Sequence, residues 1–427
     1  MKTLFRNGLV IDPSTKLERV TDVFVDQGRV IYIGDNLEQM ADRVIDATGL
    51  MVVPGLVDIH VHFRDPGFPQ KETIETGSLS AAAGGFTSVV CMPNTKPAID
   101  TVDTLRYVLD TGAKLGIVKV YSSAAITYGI EGCKLTELET LSEAGAVTFT
   151  DDGRSVMDPH LLYEAFQRAA KLGIPISSHC EEHRLIDRGA LNRGKVSERL
   201  GDPGIPAIGE ELIIARDILF AEETGARLHI QHVSTARGVQ LIREAKARGV
   251  RVTAEGAPHH FSITDEQALI CGTLAKVNPP LRTAHDVEAV IRGLQDGTLD
   301  VIATDHAPHT AEEKSRPLDQ APFGMVGLET AVGLTFTNLV HKGKLTAAEA
   351  IAKLTVQPAA VMGLQAGKLA PEGEADITVI DPDKEWVVDP KGFRSKSRNT
   401  PFDGMRLRGK TVMTMVRGQI VYEELNQ

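Results

Sequence analysis

Residues 1–53 run in short stretches where apolar and polar side chains nearly alternate, as in "LFRNGLVID", "VTDVFVDQGRVIYIG" and "RVIDATGLMVVPG". β-Branched residues and Gly or Asn-Gly punctuation accompany them, which predicts strands joined by turns. The same texture returns in the tail, in "ADITVIDPDKEWVV" and "KTVMTMVRGQIVYEE". Between the two ends the pattern changes. Continuous apolar runs alternate with helically spaced stretches such as "PHLLYEAFQRAAKLG" and "GVQLIREAKARG". Such alternation predicts βαβ units around a parallel sheet. The apolar runs are "LVDIHVH", "FTSVVCM", "GIVKVYS", "AVTFTDD", "IPISSHC", "ARLHIQH", "VRVTAEG" and "LDVIATD". Eight is the strand number of a closed (β/α)8 TIM-like barrel, whose size of about 250 residues and upward suits residues 54–364. Residues 1–53 and 365–427 are then expected to pair into one small β-sandwich beside it.

At 427 residues the chain exceeds one ordinary core, which agrees with a barrel plus a smaller domain. The net charge of −11 argues against a nucleic-acid or anionic-membrane surface. No window approaches the ~18 apolar residues of a membrane span. Arg6, Asn7 and Asp12 interrupt any apolar run that a secretory signal would need. Cys91, Cys133, Cys180 and Cys271 are scattered, with no C-x-x-C pair. They frame neither a disulfide scaffold nor a zinc knuckle, and a cytoplasmic location is expected.

In a barrel of this kind, catalytic groups sit at the C-terminal ends of the strands. The first run ends in His60 and His62; Asn94 follows the second, and Lys119 lies in the third. The fourth ends in Asp151 and Asp152, the fifth in His179 and the sixth in His232. The seventh leads to Glu255, His259 and His260, and the eighth ends in Asp305, with His306 and His309 behind it. Alternate residues of a strand share a face, so His60 and His62 point inward together while Val61 packs outward. Two such histidines can share one metal ion, and His179 and His232 suit a second. A carboxylate between the pairs would bridge them, and Asp151 and Asp152 both stand in the right run. Asp305 completes the first shell, placed to act as base. Arg64, in the loop after His62, can reach over the mouth. His259, His260 and His306 are weaker candidates, as orienting groups or packing residues.

Taken together, "DIHVHFRDPG", "GGFTSVVCMPNTKP", "FTDDG", "HCE", "QHVST", "VNPPLR" and "ATDHAPH" resemble the amidohydrolase superfamily and, within it, the longer bacterial class I dihydroorotases. The resemblance spans nearly the whole chain. It implies two zinc ions per subunit, held by His60, His62, Asp152, His179, His232 and Asp305, with Asp152 as the bridge. It implies Asp305 as the catalytic base. It places substrate contacts on His62, Arg64, Asn94, Asn278 and His309 and on the backbone at Phe323 and Gly324. The implied reaction is reversible cyclisation of N-carbamoyl-L-aspartate to (S)-dihydroorotate and water, the third step of pyrimidine synthesis. Many superfamily members bridge their metals with a carboxylated lysine instead. Lys119 ends the third run rather than the fourth, so its spacing argues for a structural salt bridge.

The rival readings are another cyclic amidase, a hydantoinase or allantoinase, and a non-catalytic scaffold relative. The partner expected is a small-molecule substrate. The family resemblance adds a homodimer and association with aspartate transcarbamoylase. The polar stretch "AEEKSRPLDQAPFG" after the eighth run reads equally as an ordered or a mobile mouth loop.

Overall fold

The structure, a computed structural model, describes residues 2–35, 41–186 and 188–425. The two ends of the chain pair as their alternating pattern predicts. Strands β1 (Thr3–Asp12), β2 (Leu17–Asp26), β3 (Arg29–Gly34), β4 (Arg43–Asp46) and β5 (Met51–Pro54) come from the N-terminal part. Strands β13 (Ile377–Val387), β14 (Arg406–Val416) and β15 (Gln419–Glu423) come from the tail. They form one eight-stranded sheet in the order β15-β14-β13-β5-β1-β2-β3, with β4 branching from β1. The junction between the termini is the antiparallel pairing of β5 with β13, Met51 opposite Ile380 and Pro54 opposite Ile377. At Gly8 the register of β1 shifts, and a Cβ there would lie 2.6 Å from Val52 Cγ2. Phe5, Val10, Val23, Val52, Ile377, Val379 and Met413 bury one shared cluster.

The middle of the chain carries the parallel strands. β6 (Leu56–Val61), β7 (Phe86–Cys91) and β8 (Lys119–Ser122) form one sheet. β9 (Ile176–Ser178), β10 (Leu228–Ile230), β11 (Val252–Gly256) and β12 (Val301–Ile302) form a second. Their residues are buried on both sides with few exceptions, as expected where helices cover a parallel sheet. Helices such as Val102–Leu115, Pro159–Leu172 and Ala236–Ala247 bury one stripe each, and Thr101, Asp158 and Thr235 cap their N-termini.

The fourth apolar run, "AVTFTDD", is not a regular strand. Phe149 makes single parallel bridges to Ala124 on one side and Ile176 on the other. Hydrogen bonds from Thr150 N to Ala124 O (3.0 Å) and Ser177 N to Phe149 O (2.9 Å) carry the connection. At the opposite edges, Val61 bridges His306, and His62 N donates to His306 O at 2.8 Å. The two parallel sheets are therefore joined at both edges. Buried Asp58 reinforces the second joint by accepting from the backbone N–H groups of His60 (3.0 Å) and Thr304. Burial pushes its carboxyl up to about 7.

Lys119 points away from the site. Its ammonium pairs with Glu374 and Asp376, just before β13, and so ties the parallel sheet to the terminal one. Asp376 is buried, whereas Glu374 is half exposed and contributes little. Replacement Lys119→Met leaves Asp376 buried without its cation. This should cost on the order of 2–3 kcal/mol, read as a lower Tm in thermal denaturation; an unchanged Tm would show the pair to be energetically neutral.

Candidate metal and substrate site

Side chains from the ends of seven of the eight apolar runs meet in one buried cluster. His60 and His62 arrive together because they are two residues apart on β6. Their Nε2 atoms lie 3.5 and 3.0 Å from Asp305 Oδ1, and 3.3 and 3.4 Å from the two oxygens of Asp152. His179 Nδ1 is 2.9 Å from His232 Nε2 and 3.8 Å from Asp152 Oδ1. Two overlapping sets, His60–Asp152–His232 and His60–His62–Asp305, each bring three ligand atoms within 4.8 Å of one another. His179 adjoins the first set through its contacts with His232 and Asp152. Arg64, His232 and Asp305 adopt left-handed backbone at φ 59°, 31° and 49°. Such strain in non-glycine residues is uncommon and gathers at functional sites.

The cluster's outer contacts decide which atoms face inward. His60 Nδ1 sits 2.6 Å from Glu255 Oε1, and Glu255 Oε2 is 3.0 Å from His229 Nε2. The Glu255 carboxylate also accepts from His232 N at 3.0 Å. His62 Nδ1 faces Asn94 Oδ1 at 2.8 Å, and Asn94 Nδ2 donates to Asp152 Oδ2 at 3.3 Å. Both histidines thus spend Nδ1 on an oriented oxygen and keep Nε2 toward the interior, the usual support for a metal ligand. His60 Nε2 and Asp152 Oδ1 are buried and make no hydrogen bond. An imidazole lone pair and a carboxylate oxygen left facing each other in this way fit a shared cation.

The electrostatics agree. Burial raises the cost of charge on Asp152, yet His60 and His62 hold its carboxyl well below the usual range. Asp305 is likewise opposed by burial but lowered to about 2 by His60 and His62. Burial disfavours protonation of His60, and Glu255, Asp152 and Asp305 overcome it, so positive charge is favoured there. Burial and the neighbouring His179 and His60 bring His232 down to about 3, which keeps its imidazole neutral.

Asp151, the neighbour of Asp152, is turned elsewhere. It accepts from Ile126 N (2.8 Å), Thr127 N (3.0 Å) and the Thr127 hydroxyl, fastening the loop after β8. Neither it nor Lys119 reaches the cluster. The His306 ring is engaged outside the cluster: Nε2 faces Glu72 at 3.3 Å and Nδ1 accepts from Gly327 N at 3.2 Å. His260 Nε2 meets the Pro279 carbonyl at 3.0 Å.

A cavity of about 340 Å³ opens above the cluster. It is lined by His62, Arg64, Asn94, Asp152, His179, His232, Asn278, Asp305, His309, Phe323 and Gly324, together with Gly153, Ala307 and Pro322. Arg64 donates from Nε to the Pro308 carbonyl (3.3 Å) and lies 3.3 Å from His309 Nε2. Asn278 Nδ2 donates to Glu181 and approaches His179 Nε2 at 3.4 Å.

The stretch from residue 310 to 324 is folded onto the rim. Buried Lys314 donates to the carbonyls of Lys276 (3.2 Å), Pro322 (3.0 Å) and Gly324 (2.9 Å). Burial brings its ammonium down to about 7. Asn399, from the tail, donates to Ala307 O and Gly324 O at 3.1 Å and accepts from His309 N at 3.0 Å. Gly324 has φ 129°, and a Cβ would lie 2.7 Å from the Ala307 Cβ, so the close approach requires glycine. Lys314, Asn399 and Glu181 were not singled out from the sequence; their contacts are made largely to backbone or to loops remote in the chain. Glu255 was signalled by its place at the end of the seventh run.

Residues 49–238 match the family model described as dihydro-orotase-like. A dihydroorotase of Pelotomaculum thermopropionicum is 54% identical over 424 residues, covering 99% of both chains. A dihydroorotase of Syntrophus aciditrophicus is 47% identical over 426 residues, covering 99% of this chain and 100% of that one. Among solved structures, an L-hydantoinase (dihydropyrimidinase) from Arthrobacter aurescens superimposes with a TM-score of 0.89 at 30% identity, covering 99% of this chain and 96% of that one. Asp152→Ala should lower the metal content of the purified protein, and Glu255→Gln should weaken metal affinity about ten- to a hundredfold, both read by elemental analysis and chelator competition. Lys119→Ala should leave the metal content unchanged; metal loss in that variant with none in Asp152→Ala would move the bridge to the lysine.

Proposed function

The chain belongs to the dihydroorotase family, and from that membership we propose how its own residues interconvert N-carbamoyl-L-aspartate and (S)-dihydroorotate. The single observation that carries the proposal is the cavity's polarity. An acid–imidazole cluster forms its floor, and Arg64 and His309 stand together at its rim.

The joints at both edges of the parallel sheets support a closed (β/α)8 barrel over residues 54–364. The shared core of the terminal strands supports a β-sandwich of residues 1–53 and 365–427. In this reading His60, His62, Asp152, His179, His232 and Asp305 are the residues that would hold two zinc ions. Bound there, divalent cations supply Lewis acidity and a nucleophile at neutral pH.

The chain's residues do the rest. Asp305, kept ionised by its imidazole neighbours, accepts a proton from the attacking water in ring opening and delivers it to the departing ring nitrogen. In ring closure it takes the proton from the terminal ureido nitrogen as that atom attacks the side-chain carboxyl group, and returns it with the oxygen that leaves as water. Arg64 clamps the remaining carboxylate, whose two oxygens match the guanidinium fork. Asn94 and Asn278 hold His62, Asp152 and His179 in place and offer amide groups to the ring. The Phe323–Gly324 backbone closes the far wall.

The likeness to a hydantoinase keeps a second cyclic amidase activity in view. Hydantoin has no carboxylate for Arg64 to hold. Relative rates on dihydroorotate, hydantoin and allantoin separate the two, and a preference for hydantoin would overturn the dihydroorotase reading. Family membership further supports a cytoplasmic homodimer, with aspartate transcarbamoylase as a candidate partner. Among the described residues, no helix is long and apolar enough to cross a membrane.

Asp305→Ala should abolish turnover in both directions while circular dichroism stays native; normal activity would remove Asp305 from the mechanism. Arg64→Lys, which keeps the charge but loses the fork, should raise KM roughly tenfold with a smaller effect on kcat. An unchanged KM would place the carboxylate elsewhere.

A further inference from the structure

Lys71 lies in the loop after β6, with its side chain 14% exposed. Its backbone carbonyl accepts from the Ser397 hydroxyl at 2.7 Å, which fixes the loop against the tail. Its ammonium is 2.8 Å from Glu313 Oε1 and 3.3 Å from His309 Nδ1. On the other side of the imidazole, Arg64 Nη2 lies 3.3 Å from Nε2. His309 is therefore flanked by two cations, both of which can only donate. The other groups facing it are Glu313, the buried Lys314, the Phe323–Gly324 backbone and Asn399. Burial, Arg64, Lys71 and Lys314 together hold the imidazole far below its ordinary range, so it is neutral.

A neutral imidazole has one N–H and one lone pair, and cannot accept from both cations. The surroundings choose between its nitrogens. A proton on Nδ1 would find no acceptor: Glu313 Oε2 is 3.7 Å away and already receives Thr310 N (3.1 Å) and the Thr310 hydroxyl (3.2 Å). A lone pair on Nδ1 meets an ammonium that Glu313 holds in place. On the cavity side, the Phe323–Gly324 backbone packs close to Nε2: a Cβ on Gly324 would lie 3.1 Å from it. Arg64 can turn its free guanidinium nitrogens to another acceptor.

We propose that Lys71, anchored by Glu313, fixes His309 as the Nε2–H tautomer, so that His309 and Arg64 present two converging donors to one carboxylate of the substrate. Two donors 3.3 Å apart repel weakly when the cavity is free and are both satisfied by an oxygen anion placed between them. Lys71 is thus a positioning residue: it touches no substrate and acts through His309. The inference deepens the proposed function and rests on its assignment of Arg64, which stands beside His309 at the rim, to the substrate carboxylate.

The test reads the tautomer directly. Zinc-loaded protein labelled with ¹⁵N in its histidine rings gives long-range ¹H–¹⁵N correlations, and His309→Asn identifies the signals of His309. The free wild-type enzyme should show a protonated Nε2 and a bare Nδ1. In Lys71→Met the Nε2–H form should give way to a mixture or to Nδ1–H. KM for N-carbamoyl-L-aspartate should then rise roughly tenfold, with kcat changing far less. A wild-type Nδ1–H tautomer, or a Lys71→Met enzyme that keeps either the Nε2–H form or the wild-type KM, would overturn the proposal. Because the tautomer is read without substrate, that failure is distinct from a wild-type enzyme inactive on N-carbamoyl-L-aspartate, which would remove the functional reading itself.

Discussion

The site depends on keeping three buried carboxylates ionised among imidazoles. Asp152, Asp305 and Glu255 are each 5% exposed or less. A carboxylate so placed is neutralised by protonation unless cationic or donor groups surround it. Here all three are opposed by burial yet lowered, and His60 is among the groups that lower each of them. His60 is therefore the hub: its Nδ1 serves Glu255, and its Nε2 lies between Asp152 and Asp305. Removing any one acid changes the charge state the others can hold.

That hub is placed by strand geometry and held by the elements that join the sheets. Asp58, two residues before His60, binds the β6 backbone to the chain leading into Asp305. Glu255 ends β11 and contacts both His60 and the backbone of His232. The tail takes part as well. Between β13 and β14 it leaves the terminal sheet, and Ser395, Ser397 and Asn399 bind Glu72, Lys71 and the His309–Gly324 rim. Phe393 and Phe402 from this excursion pack with Leu281 and Met325 beneath the mouth. The tail consequently braces residues that line the cavity, from behind His309, Ala307 and Gly324.

Much of the floor was legible because its residues obey two local rules, alternation along a strand and placement at strand ends. His60, His62, His179, His232 and Asp305 follow from them, as does an acid from the Asp151–Asp152 pair, and the structure gathers these five with Asp152. Local rules fail where a partner lies far along the chain. The Lys119 ion pair spans more than 250 residues, and spacing alone could only disfavour the lysine as a bridge. Asp151 and Asp152 are indistinguishable as a pair in sequence; the loop amides at Ile126 and Thr127 take the first and leave the second. The fourth run reads as a strand by composition, but only one residue of it pairs on both sides. The rim was least legible. Lys314 acts on backbone carbonyls, which carry no residue-specific signal in a sequence.

Floor and rim have opposite electrical demands, and that opposition accounts for orientation. The floor favours positive charge, as the raised proton affinity of His60 expresses. The rim carries Arg64, Lys71 and Lys314 around a histidine that stays neutral because of them, and so favours an anion. A substrate with a carboxylate at one end and a reacting amide at the other can satisfy both only one way round. Reversed, it would set a carboxylate beside Asp152 and Asp305 and leave two rim donors unpaired. A neutral cyclic amide of similar size would fill the cavity without satisfying the rim, so the same floor chemistry would proceed from a less ordered complex. With a fold shared with hydantoinases, discrimination among ring substrates would, under the proposed carboxylate clamp, reside in the few cations that the loop after β6 and the 310–324 segment bring to the mouth.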